Sequence, residues 1–92
     1  MSLEEIIKDL HALENEIQKL EQKYSILSEY FYKLYQSGKL EHSKDFTKWA
    51  GLYEIKLRRE RDFREMLPHA LESTGFGSYI TEEVLELSSD EA

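Results

Sequence analysis

The sequence predicts an all-α protein: a long antiparallel helical hairpin, coiled-coil-like, that dimerises into a four-helix bundle and carries a short C-terminal helix and an acidic tail. Three observations lead there. Leu3, Ile6, Leu10, Leu13, Ile17, Leu20, Tyr24, Leu27, Phe31 and Leu34 recur at strict 3/4 spacing with no polar exception, in a chain only 40% hydrophobic. That period marks a helix seam. Residues that break helices are scarce, with one Pro and four Gly among 92 residues. Finally, Gly38 and Pro68 bracket a second helical stretch, joined to the first by a connection short enough to favour antiparallel packing.

Each element has its own local signals. Helix 1 is expected over about 3–37, opened by a Ser2/Glu5 capping box with Glu4 and Glu5 in the first turn, and stopped at Ser37-Gly38. A polar connection, Lys39 to Ser43, leads to helix 2, capped by Ser43 or His42 and running over about 44–67. Pro68 is expected to end it, because a proline removes a donor and clashes with the preceding turn. A short helix over about 68–73 follows, with Thr74 and Gly75 as its stop. Residues 1–75 thus form the hairpin and residues 76–92 a flexible acidic tail.

Folding the chain about Gly38 sets paired numbers to sum to about 81, so that Phe31 meets Trp49 and Ile17 meets Phe63. The same register brings Glu21 near Arg59 and Glu16 near Arg64 as ion pairs across the hairpin. A parallel homodimer of helix 1 would instead set Asp9 against Glu14 and Glu16 against Glu21, which is repulsive. One continuous rod, with Gly38 only a weak point, stays open as an alternative.

Size limits what the chain does alone. A domain this short buries about 60% of its unfolded surface, so self-association or a stable partner is expected. Residues 2–37 hold four lysines against seven acids, residues 44–67 seven bases against five acids, and residues 68–92 six acids with no Lys or Arg. The net charge of −7 argues against a nucleic-acid binder, which normally presents a positive face. Cysteine is absent, which fits a reducing compartment. No apolar run approaches a membrane span, and the first ten residues include Glu4, Glu5 and Asp9, unlike a signal peptide. A soluble cytoplasmic or nuclear protein is expected.

The candidate functional residues are surface features rather than chemistry. Tyr30, Tyr32, Tyr35, Trp49, Leu52 and Tyr53 gather near the turn, as core, as partner interface, or as both on different faces. The basic run Lys56, Arg58, Arg59, Arg61 and Arg64 is interleaved with Glu54, Glu60, Asp62 and Glu65. It reads first as a charged helix surface and second as a phosphate-contacting stripe. His11, His42 and His69 are not at metal-ligand spacing, and no phosphate loop, nucleophile elbow or catalytic carboxylate pair is present. No enzyme, cofactor, metal or small-molecule substrate is expected.

Four resemblances add detail. Leu52-Tyr53, Arg59-Glu60, Phe63-Arg64-Glu65-Met66-Leu67 and His69 resemble the long-helix pattern of the small cyanobacterial phycobilisome-degradation adaptors. That likeness implies a helical-hairpin dimer holding an antenna protein for proteolysis. The two-helix layout also looks like small secretion-system chaperones. In the tail, Val84, Leu85 and Leu87 followed by Ser88, Ser89, Asp90 and Glu91 resemble a SUMO-interacting motif, which adds a strand to a sheet edge. Ser88 with Glu91 also looks like an acidophilic kinase site. The expected function is a non-enzymatic interaction module: an adaptor or assembly subunit with a protein partner or a second copy. The alternative is a nucleic-acid-associated regulator using the Arg-rich face of helix 2.

Overall fold

A computed structural model of the chain describes residues 1–73 and 75–79. Among these, three α-helices and one 3-10 turn account for the regular structure: α1 (Leu3–Tyr24), α2 (Ser28–Ser37), α3 (Lys44–Ser73) and the turn Phe76–Tyr79. The all-α expectation holds. The molecule measures 49 × 26 × 21 Å, and its long dimension matches the roughly 45 Å of a thirty-residue helix such as α3.

α1 begins as expected. The Ser2 hydroxyl accepts from the Glu5 N–H at 3.2 Å, and the Glu5 carboxylate accepts from the Ser2 N–H at 2.8 Å. That bond holds the Glu5 carboxyl below the usual range. α1 then runs antiparallel to α3. Arg59 Nε lies 3.2 Å from Asp9 at one end, and Lys23 Nζ lies 2.7 Å from Asp45 at the other. Ile6, Ile17, Leu20 and Ala70 are buried.

Helix 1 is not continuous, which corrects the expected span of 3–37. It ends at Tyr24, and Ser25 takes the left-handed conformation at φ 58°, ψ 40°. Leu27 is extended, and α2 restarts at Ser28. The break is held by side chains. Glu21 Oε2 accepts from the Ser28 N–H at 2.8 Å and from the Ser28 hydroxyl at 2.7 Å. A helix start leaves such N–H groups without intrahelical partners, and Glu21 supplies one. Ser28 Oγ in turn accepts from Trp49 Nε1–H at 2.8 Å.

The break changes the register. Asp9–Arg59 and Lys23–Asp45 both sum to 68, not the expected 81. α2 and its flanking residues have left the seam, so the end of α1 packs at the start of α3. Of the expected contacts, Phe31 against Trp49 is present, with rings stacked 3.9 Å apart and 4° from parallel. The reversal is therefore made in two steps, at Ser25 and at Gly38, rather than by the simple two-helix turn expected. At the second step Gly38 is left-handed (φ 76°) and its N–H donates to the Tyr35 carbonyl at 3.2 Å. Ser43 caps α3, its hydroxyl accepting from the Phe46 N–H at 3.0 Å.

α3 also departs from expectation, because it runs through Pro68 to Ser73. The expected helix over 68–73 is its last turn and a half. A proline inside a helix costs about 3 kcal/mol. Here Ala70 is buried and Leu71 half-buried beyond it, so packing of the last turns opposes that cost. Gly75 is left-handed (φ 83°), and the 3-10 turn folds back on α3. A Cβ on Gly77 would lie 2.8 Å from the Leu71 carbonyl oxygen, so this approach requires glycine. The first positions expected to belong to the tail, Phe76–Tyr79, form this 3-10 turn. The tail residues Val84, Leu85, Leu87 and Ser88 lie outside the described residues.

Candidate functional site

The corner where α1, α2 and α3 meet is built around Trp49, which is 0% exposed. Phe31 stacks on it, the Tyr24 ring lies 5.8 Å away at 26°, and Phe46 lies against both Tyr24 and Phe31. Burying roughly 200 Å² of indole at 25 cal/mol/Å² is worth about 5 kcal/mol. A left-handed Ser25 costs on the order of 1–2 kcal/mol. The aromatic corner therefore outweighs the strain of the break. Trp49 accordingly belongs to the core and not to the expected partner interface.

The other expected interface residues divide. Leu52 is half-buried against the core cluster. Tyr32 and Tyr53 are half-buried with ring centroids 5.2 Å apart. Tyr32 donates its hydroxyl to Glu54 at 2.6 Å, which raises its pKa; burial does the same for Tyr53. Tyr30 and Tyr35 remain at the surface, 53% and 36% exposed.

Leu27 and Leu34, which the heptad pattern places in the seam, are 62% and 40% exposed. With Tyr30 they sit at i, i+3 and i+7, one continuous stripe along the outer side of α2. The sequence reading missed this stripe because the 3/4 spacing is the same whether the seam faces α3 or solvent. Leu27 also occupies the N-cap of α2, with φ −75° and ψ 148° and no side-chain cap bond. Ser, Thr, Asp or Asn would suit that position better. An exposed leucine there sacrifices helix stability while adding apolar surface.

The expected ion pairs are rearranged by the shifted register. Glu16 lies 3.2 Å from Lys19 and 3.8 Å from Lys48, instead of meeting Arg64. Glu21 serves Ser28. Arg59 reaches Asp9 at 3.2 Å and Asp62 at 3.3 Å. Arg64 is exposed, with no carboxylate within 4 Å among the described residues. At the α1 terminus, Asp45 accepts from both Lys23 (2.7 Å) and the Tyr24 hydroxyl (2.6 Å). These bonds lower the Asp45 pKa and raise those of Lys23 and Tyr24.

Surface depressions lined by His42, Ser43, Lys44, Thr47 and Lys48, and by Arg61, Arg64, Glu65 and Pro68, are open and hold no buried polar side chain. Gly51, inside α3, has nothing within 4 Å of where a Cβ would stand. Among the described residues, no group of three or more His, Cys, Asp or Glu is placed to hold a metal ion. No described helix is long and apolar enough to cross a membrane. Comparison with protein-family models, with curated proteins and with solved structures finds no match to this chain, so the likeness to the phycobilisome-degradation adaptors rests on its ten quoted positions alone.

Proposed function

We propose that this chain is a non-enzymatic protein–protein interaction module, an adaptor or assembly subunit that engages its partner through the outer face of α2. The observation that carries this reading is the stripe Leu27, Tyr30 and Leu34, left open over a corner whose tryptophan is fully buried. Isolated exposed leucines are ordinary, but an aligned apolar stripe with an aromatic residue is the composition favoured in partner sites. A helical bundle assembled from two copies, or from one copy and a helical partner, would cover it.

The test is the double substitution Leu27→Ser/Leu34→Ser. Both side chains point outward, and the Leu27→Ser change supplies the side-chain cap that α2 lacks. The variant is expected to keep its helicity and melting temperature while losing association, read by sedimentation equilibrium with small-angle scattering. It is also expected to lose capture of partners from the native host. Unchanged association and capture would sink the reading. Binding to DNA or RNA that falls steeply with salt and is lost on Arg58→Glu/Arg61→Glu would favour the nucleic-acid alternative.

A further inference from the structure

We propose that the outer face of α3 between Leu57 and Leu71 docks the chain's own acidic C-terminal segment, residues 80–92. This goes beyond the interaction reading above and does not depend on the α2 stripe. Leu57, Arg61, Arg64, Pro68 and Leu71 follow one another at 4/3 spacing on α3, which sets them in a single stripe. The first four are exposed and Leu71 is half-buried; Arg58, also exposed, flanks the stripe. Among the described residues, none of Arg58, Arg61 and Arg64 has a carboxylate within 4 Å. Glu60 on one flank is bridged by Lys56 at 3.2 Å. Glu65 and Glu72, exposed on the other flank, bridge no arginine, although Glu65 lines the same shallow depression as Arg61, Arg64 and Pro68.

Two observations choose the occupant. The first is charge: residues 80–92 carry Glu82, Glu83, Glu86, Asp90 and Glu91 and no Lys, Arg or His, with Val84, Leu85 and Leu87 between them. Acids interleaved with apolar side chains match a stripe whose arginines lie between Leu57 and Pro68. The second is where the described chain ends. Gly77 packs so closely on α3 that a Cβ there would meet the Leu71 carbonyl oxygen at 2.8 Å, and the 3-10 turn closes at Tyr79. From Leu71, Arg64 lies about 10 Å and Arg61 about 15 Å along the helix axis. An extended chain spans about 3.3 Å per residue, so Glu82 and Glu83 are within reach of Arg64, and Glu86 of Arg61. A segment tethered this closely has an effective concentration on the order of mM, well above that of a free acidic partner. Docked, it competes with any outside polyanion for these arginines.

The chain has no cysteine, so Ser88→Cys takes a single nitroxide label in the full chain. Paramagnetic relaxation of backbone amides is expected to be strong at residues 57–64 and weak at residues 3–10 of α1. The latter lie near the same end of the molecule but on the opposite side of α3, where Asp9 meets Arg59. The pattern is expected to be independent of protein concentration below about 100 µM. It is expected to weaken about threefold or more in about 1 M salt, where the Debye length is about 3 Å, and to a similar extent in Arg61→Glu/Arg64→Glu. Adding Glu82→Arg/Glu83→Arg/Glu86→Arg to that variant is expected to restore it, because the charges are exchanged rather than removed. Circular dichroism melts confirm that each variant is folded. Equal relaxation at residues 3–10 and 57–64 overturns the docking site. Relaxation at 57–64 that persists in Arg61→Glu/Arg64→Glu overturns its charge basis. Relaxation seen only between a spin-labelled copy and a separate isotope-labelled copy makes the occupant a second chain's terminus and overturns the intrachain contact. Leu27→Ser/Leu34→Ser is expected to leave all these signals unchanged, so this inference and the α2 reading fail separately.

Discussion

The α1/α3 seam and the α2/α3 corner are built from the same 3/4 apolar pattern, yet they solve different problems. Along the seam, Ile6 and Ile17 are buried and charged pairs such as Asp9–Arg59 lie at its edge, while Leu20 already belongs to the corner cluster with Phe31, Trp49 and Ala50. At the corner, one aromatic residue sets the geometry. Trp49 is covered by Phe31 and Tyr24, and its N–H is satisfied by a serine that exists as a helix start because the chain breaks. The contrast teaches that an uninterrupted heptad pattern need not be an uninterrupted helix. A large ring with a donor to satisfy can displace a seam that only needs contact.

The strongest way to break the comparison is to remove the ring. Trp49→Ala is expected to destabilise the chain by about 3–5 kcal/mol, against about 2–4 kcal/mol for Ile17→Ala in the seam, both read by urea denaturation. Equal or reversed losses would mean that the corner is not the keystone. Next comes the polar link. Ser28→Ala leaves the Trp49 N–H without an acceptor and Glu21 without its hydroxyl donor, an expected loss of about 1–3 kcal/mol. A double-mutant cycle with Glu21→Gln should show coupling between the two positions.

Gly51→Ala is expected to raise stability by about 0.5–1 kcal/mol, since a Cβ there meets nothing and glycine is costly inside a helix. Ser25→Gly sharpens the comparison further. It relieves a left-handed serine at the break and is expected to stabilise by about 0.5 kcal/mol. Were the chain a straight helix through residue 25, the same change would destabilise it, so the sign of the shift in melting temperature decides between the two conformations.

The smallest effect concerns pH. The folded-state pKa of Asp45 is depressed by Lys23 and Tyr24. Its contribution to stability is therefore fully present above the unfolded carboxylate pKa and lost as pH falls through the folded value. Denaturation midpoints are expected to drop on acidification below about pH 4. Asp45→Asn should flatten part of that slope without altering the neutral-pH profile of the seam.

How much was legible follows from how local each signal is. The Ser2/Glu5 box, the Gly38 turn and the Ser43 cap depend on residues within a few positions of each other, and their chemistry is readable in order along the chain. The Ser25 break is not of that kind. Its support comes from Glu21, seven residues before Ser28, and from Trp49, twenty-one after. The register error at Glu16, Glu21 and Arg64 followed directly, because each residue lost to α2 shifts every pairing downstream. Pro68 misled in the opposite sense: a local rule ended the helix there, and packing of Ala70 and Leu71 carried it on.

Sequence alone therefore determined the helical class, the caps and the faces that must find cover, because period, capping and backbone restriction act over one or two turns. Tertiary structure decided where the first helix breaks, which register α1 takes on α3, and that Leu27, Tyr30 and Leu34 end outside while Trp49 ends inside. The physical reason is that burial and hydrogen bonding of a single large ring depend on groups distant in the chain. Their sum of several kcal/mol exceeds the local preference for a continuous helix.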